Sequence, residues 1–112
     1  MSAVIIYFSR SGNNYVNGSI KNLPVGNTET AAKFIQELTG AEIFKLEPVK
    51  SYALDYNECI QEAQKEQRAN ARPKVKALPD ISGYETIYLG YPNWWGTCPM
   101  CVFTFMEAAD FT

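Results

Sequence analysis

Three short apolar runs alternate along the chain with segments of helical period: Ala3–Phe8 (AVIIYF), Ala41–Leu46 (AEIFKL) and Thr86–Tyr91 (TIYLGY). A continuous β-branched and aromatic run such as AVIIYF suits a strand covered on both faces. Ala31, Phe34, Ile35 and Leu38 fall at i, i+3, i+4 and i+7. That spacing predicts a helix over Thr28–Thr39, with this stripe turned inward and Gly40 as its stop. Tyr56, Cys59, Ile60 and Ala63 repeat the spacing within Leu54–Ala69. A third helical segment, Pro99–Ala109, carries Val102, Phe103, Phe105 and Met106. The order β-α-β-α-β-α predicts an α/β fold with a parallel sheet and right-handed crossovers. The basic, Pro-bounded stretch Arg72–Pro79 reads as a solvated connector.

The length, 112 residues, is that of one domain. Ten Lys and Arg stand against twelve Asp and Glu, with no basic block, which argues against nucleic acid as a partner. The opening MSAVIIYFSR is too short an apolar run for a membrane span and lacks the charged start of a signal peptide. The expected setting is therefore the cytoplasm, away from membranes. Three Cys do not suggest a disulfide scaffold. The chain has no His, which excludes imidazole acid–base chemistry and His-ligated metal sites. No metal site and no catalytic side chain stand out.

Between the first strand and the first helix lies FSRSGNNYVNGSIKNLPVGNT, with Gly-Asn at Gly12-Asn13 and again at Gly26-Asn27. The helix's apolar face begins at Ala31, so its N-terminus lies at Asn27–Thr28. Thr28 or Asn27 can cap it, and the N–H groups and positive dipole end there would face an anion. Gly26 permits close backbone approach. Ser9 and Ser11, leaving the first strand, supply hydroxyls from the other side. What intervenes, about residues 13–25, reads as an insertion. Its Tyr15–Ile20 core (YVNGSI) is a hairpin centred on Asn17-Gly18. Such an insertion either serves the site or is a tolerated surface loop, since long insertions cost little closure entropy.

A second signal, GYPNWWGTCP, follows the third strand. If one of its two adjacent Trp packs inward, the other is left for binding, and a planar ring stacks best on another flat ring. In a 2-1-3 sheet the first and third strands are neighbours with crossovers on opposite faces. The crevice outside their C-terminal ends is the topological switch point, where α/β proteins bind ligands. A phosphate at one loop and a flat ring at the other describe a mononucleotide-like ligand.

FSRSG, then GNT opening a helix, then LGYPNWWGT together resemble the flavodoxin family, in its bacterial branch with a Trp-Trp-Gly-Thr loop. The resemblance covers essentially the whole chain. It implies a flavodoxin-like three-layer sandwich with FMN at the switch point and a role in electron transfer, or in FMN-dependent reduction of quinones or nitro compounds by NAD(P)H. Its partners would be redox proteins or small quinone-like acceptors. Carried over, Ser9, Ser11, Asn27 and Thr28 look like the phosphate-binding set, with Arg10 contributing main chain or side chain. Pro92, Asn93, Trp94, Trp95 and Gly96 look like the loop against the isoalloxazine. The family sheet has order 2-1-3-4-5, so the chain is expected to carry only the N-terminal part, order 2-1-3. It is then either a natural half-domain or a truncated piece, and as the latter it would bind FMN weakly or not at all. The third strand would then be an open edge at Ile87, Tyr88 and Leu89. The third helix would lose much of its sheet, and a homodimer through that edge or that helix is expected.

A rival motif is Cys98-Pro-Met-Cys101 at the start of the third helix, superficially like a thioredoxin dithiol. There the helix dipole would lower the Cys98 thiol pKa. Cys59, on the apolar face of the second helix, reads as core.

Overall fold

A computed structural model of the chain describes residues 3–16, 18–92, 94 and 97–109. Its elements are β1 (Ala3–Tyr7), β2 (Gly12–Val16), β3 (Ser19–Leu23), α1 (Asn27–Thr39), β4 (Glu42–Lys45), α2 (Tyr56–Arg68), β5 (Thr86–Gly90) and α3 (Met100–Ala108).

Strand β1 is central. It pairs in parallel with β4, Val4 opposite Glu42, and with β5, Ala3 opposite Thr86 and Tyr7 opposite Gly90. The order β4-β1-β5 is the expected 2-1-3 arrangement. The ladder continues past β1, where Phe8 N–H donates to Gly90 C=O at 3.0 Å and Leu46 N–H to Tyr7 C=O at 2.7 Å. Alternation along β1 divides its side chains between two layers. Val4, Ile6 and Phe8 join Leu46, Cys101, Val102 and Phe105 on one face, while Ile5 and Tyr7 meet Ala32 and Ala41 on the other. All five of these β1-run residues, Val4 to Phe8, are buried. An unbroken apolar run under helices on both sides needs that.

Helix α1 corrects the expected stripe. Ala32 is its buried residue and Ile35 is half-buried, whereas Phe34 is 62% and Leu38 85% exposed and Ala31 is also exposed. The helix lies over β1, β5 and β4. With β5 at the sheet edge, the Phe34 and Leu38 side of α1 has no strand beneath it among the described residues. Helix α3 corrects the opposite expectation. Phe105 is 1% exposed, and Phe103 and Met106 pack partly buried on the core, so α3 is not an open surface.

Helix α2 starts two residues later than expected because Asp55 caps it, its carboxylate accepting from Glu58 N–H at 3.0 Å. Asp55-x-x-Glu58 is the start signal, and it leaves Leu54 outside and 83% exposed. The basic connector is not simply solvated. Val49 N–H donates to Lys74 C=O and Lys76 N–H to Glu47 C=O, at 2.8 and 2.7 Å. Thr104 Oγ1 donates to Pro73 C=O at 2.7 Å. Arg72 pairs with Glu107 at 2.9 Å and lies over the Phe103 ring. These long-range ties explain a segment whose local composition reads as loop.

The insertion is an antiparallel hairpin longer than its Tyr15–Ile20 core, with Tyr15 opposite Ile20 and Gly12 opposite Leu23. Gly18 has φ +84°, as a two-residue turn demands. Asn17 lies outside the described residues.

Candidate functional site

The loop leaving β1 and the start of α1 press together at Gly26. A Cβ there would stand 2.1 Å from Ser9 Oγ and 2.5 Å from the Arg10 carbonyl oxygen, so only Gly fits. This also corrects the expected cap. Gly26, not Asn27 or Thr28, is the N-cap residue and has no side chain to offer. Ser9 Oγ accepts from Glu29 N–H at 3.1 Å instead, a cap delivered across the loop. Asn27 and Thr28 stand in the first turn, where N–H groups have no intrahelical acceptor. Thr28 also meets β5: its Cγ2 would be 3.3 Å from a Cβ on Gly90. The phosphate-type turn and the base of the Trp loop therefore touch. The signal for Gly90 lay in the sequence, since a Gly ending an apolar strand marks close approach.

Glu29 brings a negative charge to the same helix end. Burial alone would raise its carboxyl. Hydrogen bonds from Tyr7 and Lys33 and the charge of Lys45 hold it below the ordinary value instead. The two lysines offset its charge where an anion would approach.

The other expected residues are placed less uniformly. Arg10 sends its side chain away from α1: Nε donates to Asn13 C=O and Nη2 to Leu54 C=O, both at 2.8 Å. Its main chain is what lies beside Gly26. Ser11 is exposed and lines a hollow with Ser9, Arg10 and Lys45, whereas Asn27 and Thr28 line one with Gly90 and Tyr91. Pro92 is half-buried beyond β5. Trp94 is the inward Trp, with its ring edge-on to Phe8 at 5.3 Å and to Tyr52 at 5.0 Å between centroids. Trp94 and Thr97 exchange backbone hydrogen bonds of 2.8 and 3.1 Å, closing the loop. Asn93, Trp95 and Gly96 lie outside the described residues.

The dithiol reading meets a contrary environment. Cys98 and Cys101 are free and buried, and burial outweighs the helix dipole. It raises the Cys98 thiol and pushes Cys101 up to about 12. A thiol with a raised pKa is protonated and inert at neutral pH. Iodoacetamide at pH 7.5 should leave both unlabelled in the folded chain and label them in denaturant. Rapid labelling of Cys98 in the folded chain would restore the dithiol reading.

Comparison with known proteins agrees with this architecture. The flavodoxin family model matches residues 2–112. No curated protein sequence matches the chain. Similar solved structures include a candidate flavoprotein from Bacteroides eggerthii, at 24% identity and TM-score 0.76, with 97% of this chain and 63% of that one covered. A candidate flavoprotein from Bacteroides uniformis matches at 28% identity and TM-score 0.75, with coverage of 99% and 65%. A flavoprotein from Lactobacillus acidophilus, solved in complex with FMN, matches at 20% identity and TM-score 0.74, with coverage of 96% and 65%. The chain thus spans less than two thirds of the length of each of these structures. The parallel β4-β1-β5 sheet, the α1 N-terminus seated against the end of β5 and a family match along the chain lead to one assignment: the chain belongs to the flavodoxin family and has a flavodoxin-like fold.

Proposed function

We propose that the chain binds FMN at the C-terminal ends of β1 and β5 and serves electron transfer. The observation that carries this reading is the packing of Ser9, Gly26 and Thr28 with Gly90, which puts an open helix N-terminus beside the Trp loop. The donor set suits a terminal phosphate. It has hydroxyls at Ser9 and Thr28, the Asn27 amide, first-turn N–H groups, and an acidic neighbour already neutralised by two lysines, while Ser11 lines a separate hollow. The Gly-x-Gly-x-x-Gly turn of a dinucleotide site is missing, which favours FMN over FAD or NAD. The Lactobacillus acidophilus structure, solved with FMN, supports the same choice. When bound, FMN supplies one- or two-electron chemistry, and the protein sets its orientation and electronics. Ser9, Asn27 and Thr28 would hold the phosphate. The loop of residues 92 to 96 would serve the isoalloxazine, and Trp94 packs against Phe8 and Tyr52. The electron partner is a redox protein or a small quinone-like acceptor. Three free thiols fit a reducing, cytoplasmic setting, and no described helix is long and apolar enough to cross a membrane.

Release of the ligand by heat, followed by chromatography, tests the cofactor. FMN is the expected product. Recovery of FAD, or no flavin after reconstitution with excess FMN, contradicts the assignment.

A further inference from the structure

Phe8, Tyr52 and Trp94 form a closed set of three rings. Centroids stand 5.0 Å apart for Tyr52 and Trp94, 5.3 Å for Phe8 and Trp94 and 6.2 Å for Phe8 and Tyr52, every pair edge-on. Packing accounts for Phe8, which is buried, but not for the polar end of Tyr52. The Tyr52 hydroxyl donates to Glu66 Oε1 on α2. Tyr52 and Glu66 also line an open hollow between α2 and residues 71–74, which none of the expected FMN residues lines. An oxidisable indole thus meets an oxidisable phenol whose proton already faces a carboxylate.

We propose that Tyr52 is a redox-active tyrosine, which refills an electron hole made at Trp94 while its proton passes to Glu66. A one-electron oxidant reaching the half-buried Trp94 takes an electron from the indole. One electron then passes from the Tyr52 ring to the indole, which is neutral again once any proton lent to water has returned. The Tyr52 O–H bond breaks, its proton binds the Glu66 carboxylate, and a neutral phenoxyl remains. A one-electron reductant entering the hollow returns the electron, and Glu66 returns the proton. The chain would thereby draw oxidising equivalents out of the Trp loop and discharge them on another face. A phenol gives up an electron readily only if its proton leaves too, and a base within hydrogen-bond reach receives it. Glu62, one turn earlier on α2, is engaged by Ala53 N–H at 2.8 Å, which leaves Glu66 as the acceptor. Burial raises the Glu66 carboxyl against the bond from Tyr52 and the charge of Lys50, which strengthens its carboxylate as a base. Burial and Glu66 raise the Tyr52 phenol as well, so it keeps its proton until the electron leaves.

Pulse radiolysis with the azidyl radical, which oxidises indole in preference to phenol, tests this in the chain without flavin. The indolyl absorbance should decay and the phenoxyl absorbance rise at one shared first-order rate, independent of protein concentration and slower in D2O. Trp94→Phe and Tyr52→Phe should each abolish that phase. Glu66→Gln, which keeps an acceptor but loses the base, should slow it by roughly a hundredfold, as loss of a positioned proton acceptor does. Circular dichroism establishes that each variant is folded. A nitroso spin trap with peptide mass spectrometry locates the radical in the unsubstituted chain, and the adduct is expected on Tyr52. An adduct on another tyrosine, or a phenoxyl phase surviving in folded Tyr52→Phe, overturns the proposal. So does a parent with no phenoxyl rise. An unchanged rate in folded Glu66→Gln and in D2O also overturns it, because the Tyr52–Glu66 bond then only ties the loop before α2 to the helix. None of these outcomes bears on the FMN reading, and a chain that takes no FMN can still show the transfer.

Discussion

Gly26→Ala should destabilise the fold by about 1–3 kcal/mol, the usual range for forced overpacking, and weaken FMN binding by at least an order of magnitude. The backbone angles at Gly26, φ −64° and ψ 153°, are open to any residue, so conformational strain is not the cause. The cause is space. The added methyl would fall 2.1 Å from Ser9 Oγ and 2.5 Å from the Arg10 carbonyl oxygen. Ser9 can rotate, but then Glu29 N–H loses its cap. The Arg10 carbonyl can yield only if the loop leaving β1 retreats from α1, which pulls apart the two sides of the phosphate site. Urea unfolding and FMN titration of parent and variant measure both effects. A variant matching the parent in both would mean that the Ser9–Gly26 junction is not tight in solution.

The 112-residue polypeptide should self-associate, with β5 and α1 as the contact rather than α3. The outer side of β5 has no partner strand among the described residues, and Ile87, Tyr88 and Leu89 are only half-buried there. On α1, which packs against β5, Phe34 and Leu38 are exposed, and Tyr91 just after β5 is 45% exposed. The hollow between α1 and β5 that Asn27 and Thr28 line at one end has Ala31, Ile35, Tyr88 and Leu89 on its apolar walls. An unpaired edge beneath an apolar helix face is a template for a second chain. A two-fold arrangement would join the β5 edges and cover both helices. Size exclusion with light scattering should give a dimer, and Phe34→Lys with Leu38→Lys should shift it toward monomer. A parent that is a sharply melting monomer, with no shift in the double variant, contradicts this.

Much of the fold could be read from local pattern. The unbroken AVIIYF run announced a central strand, and both its faces are covered. The three parallel strands followed from the alternation of runs and helices, their order from the resemblance to the flavodoxin family, and Asn17-Gly18 marked the hairpin. Features decided by distant partners could not be read. The periodicity of α1 named a stripe correctly spaced for a helix. Which side of it meets protein depends on which strands lie beneath it among the described residues, and no residue of α1 encodes that. Asp55-x-x-Glu58 is a legible cap, and α2 begins after it rather than at apolar Leu54. The ties of residues 72–76 to Glu47, Val49, Thr104 and Glu107 are long-range and leave no local trace. In the site, the turn at Gly26-Asn27-Thr28 and the Trp loop were legible as motifs. Which Trp packs against the core was not legible; Trp94 does, against Phe8 and Tyr52.

The central claim is that the α1 N-terminus holds the phosphate of FMN. Parallel equilibrium titrations with FMN and riboflavin, which differ only in that phosphate, test it most directly in the parent and in Thr28→Ala. The account predicts that the parent prefers FMN by at least tenfold, as hydrogen bonds to a charged group of about 1.5–3 kcal/mol would give. It also predicts that Thr28→Ala loses FMN affinity while riboflavin affinity stays nearly constant. Equal affinity of the parent for both ligands, or equal losses in the variant, would contradict it.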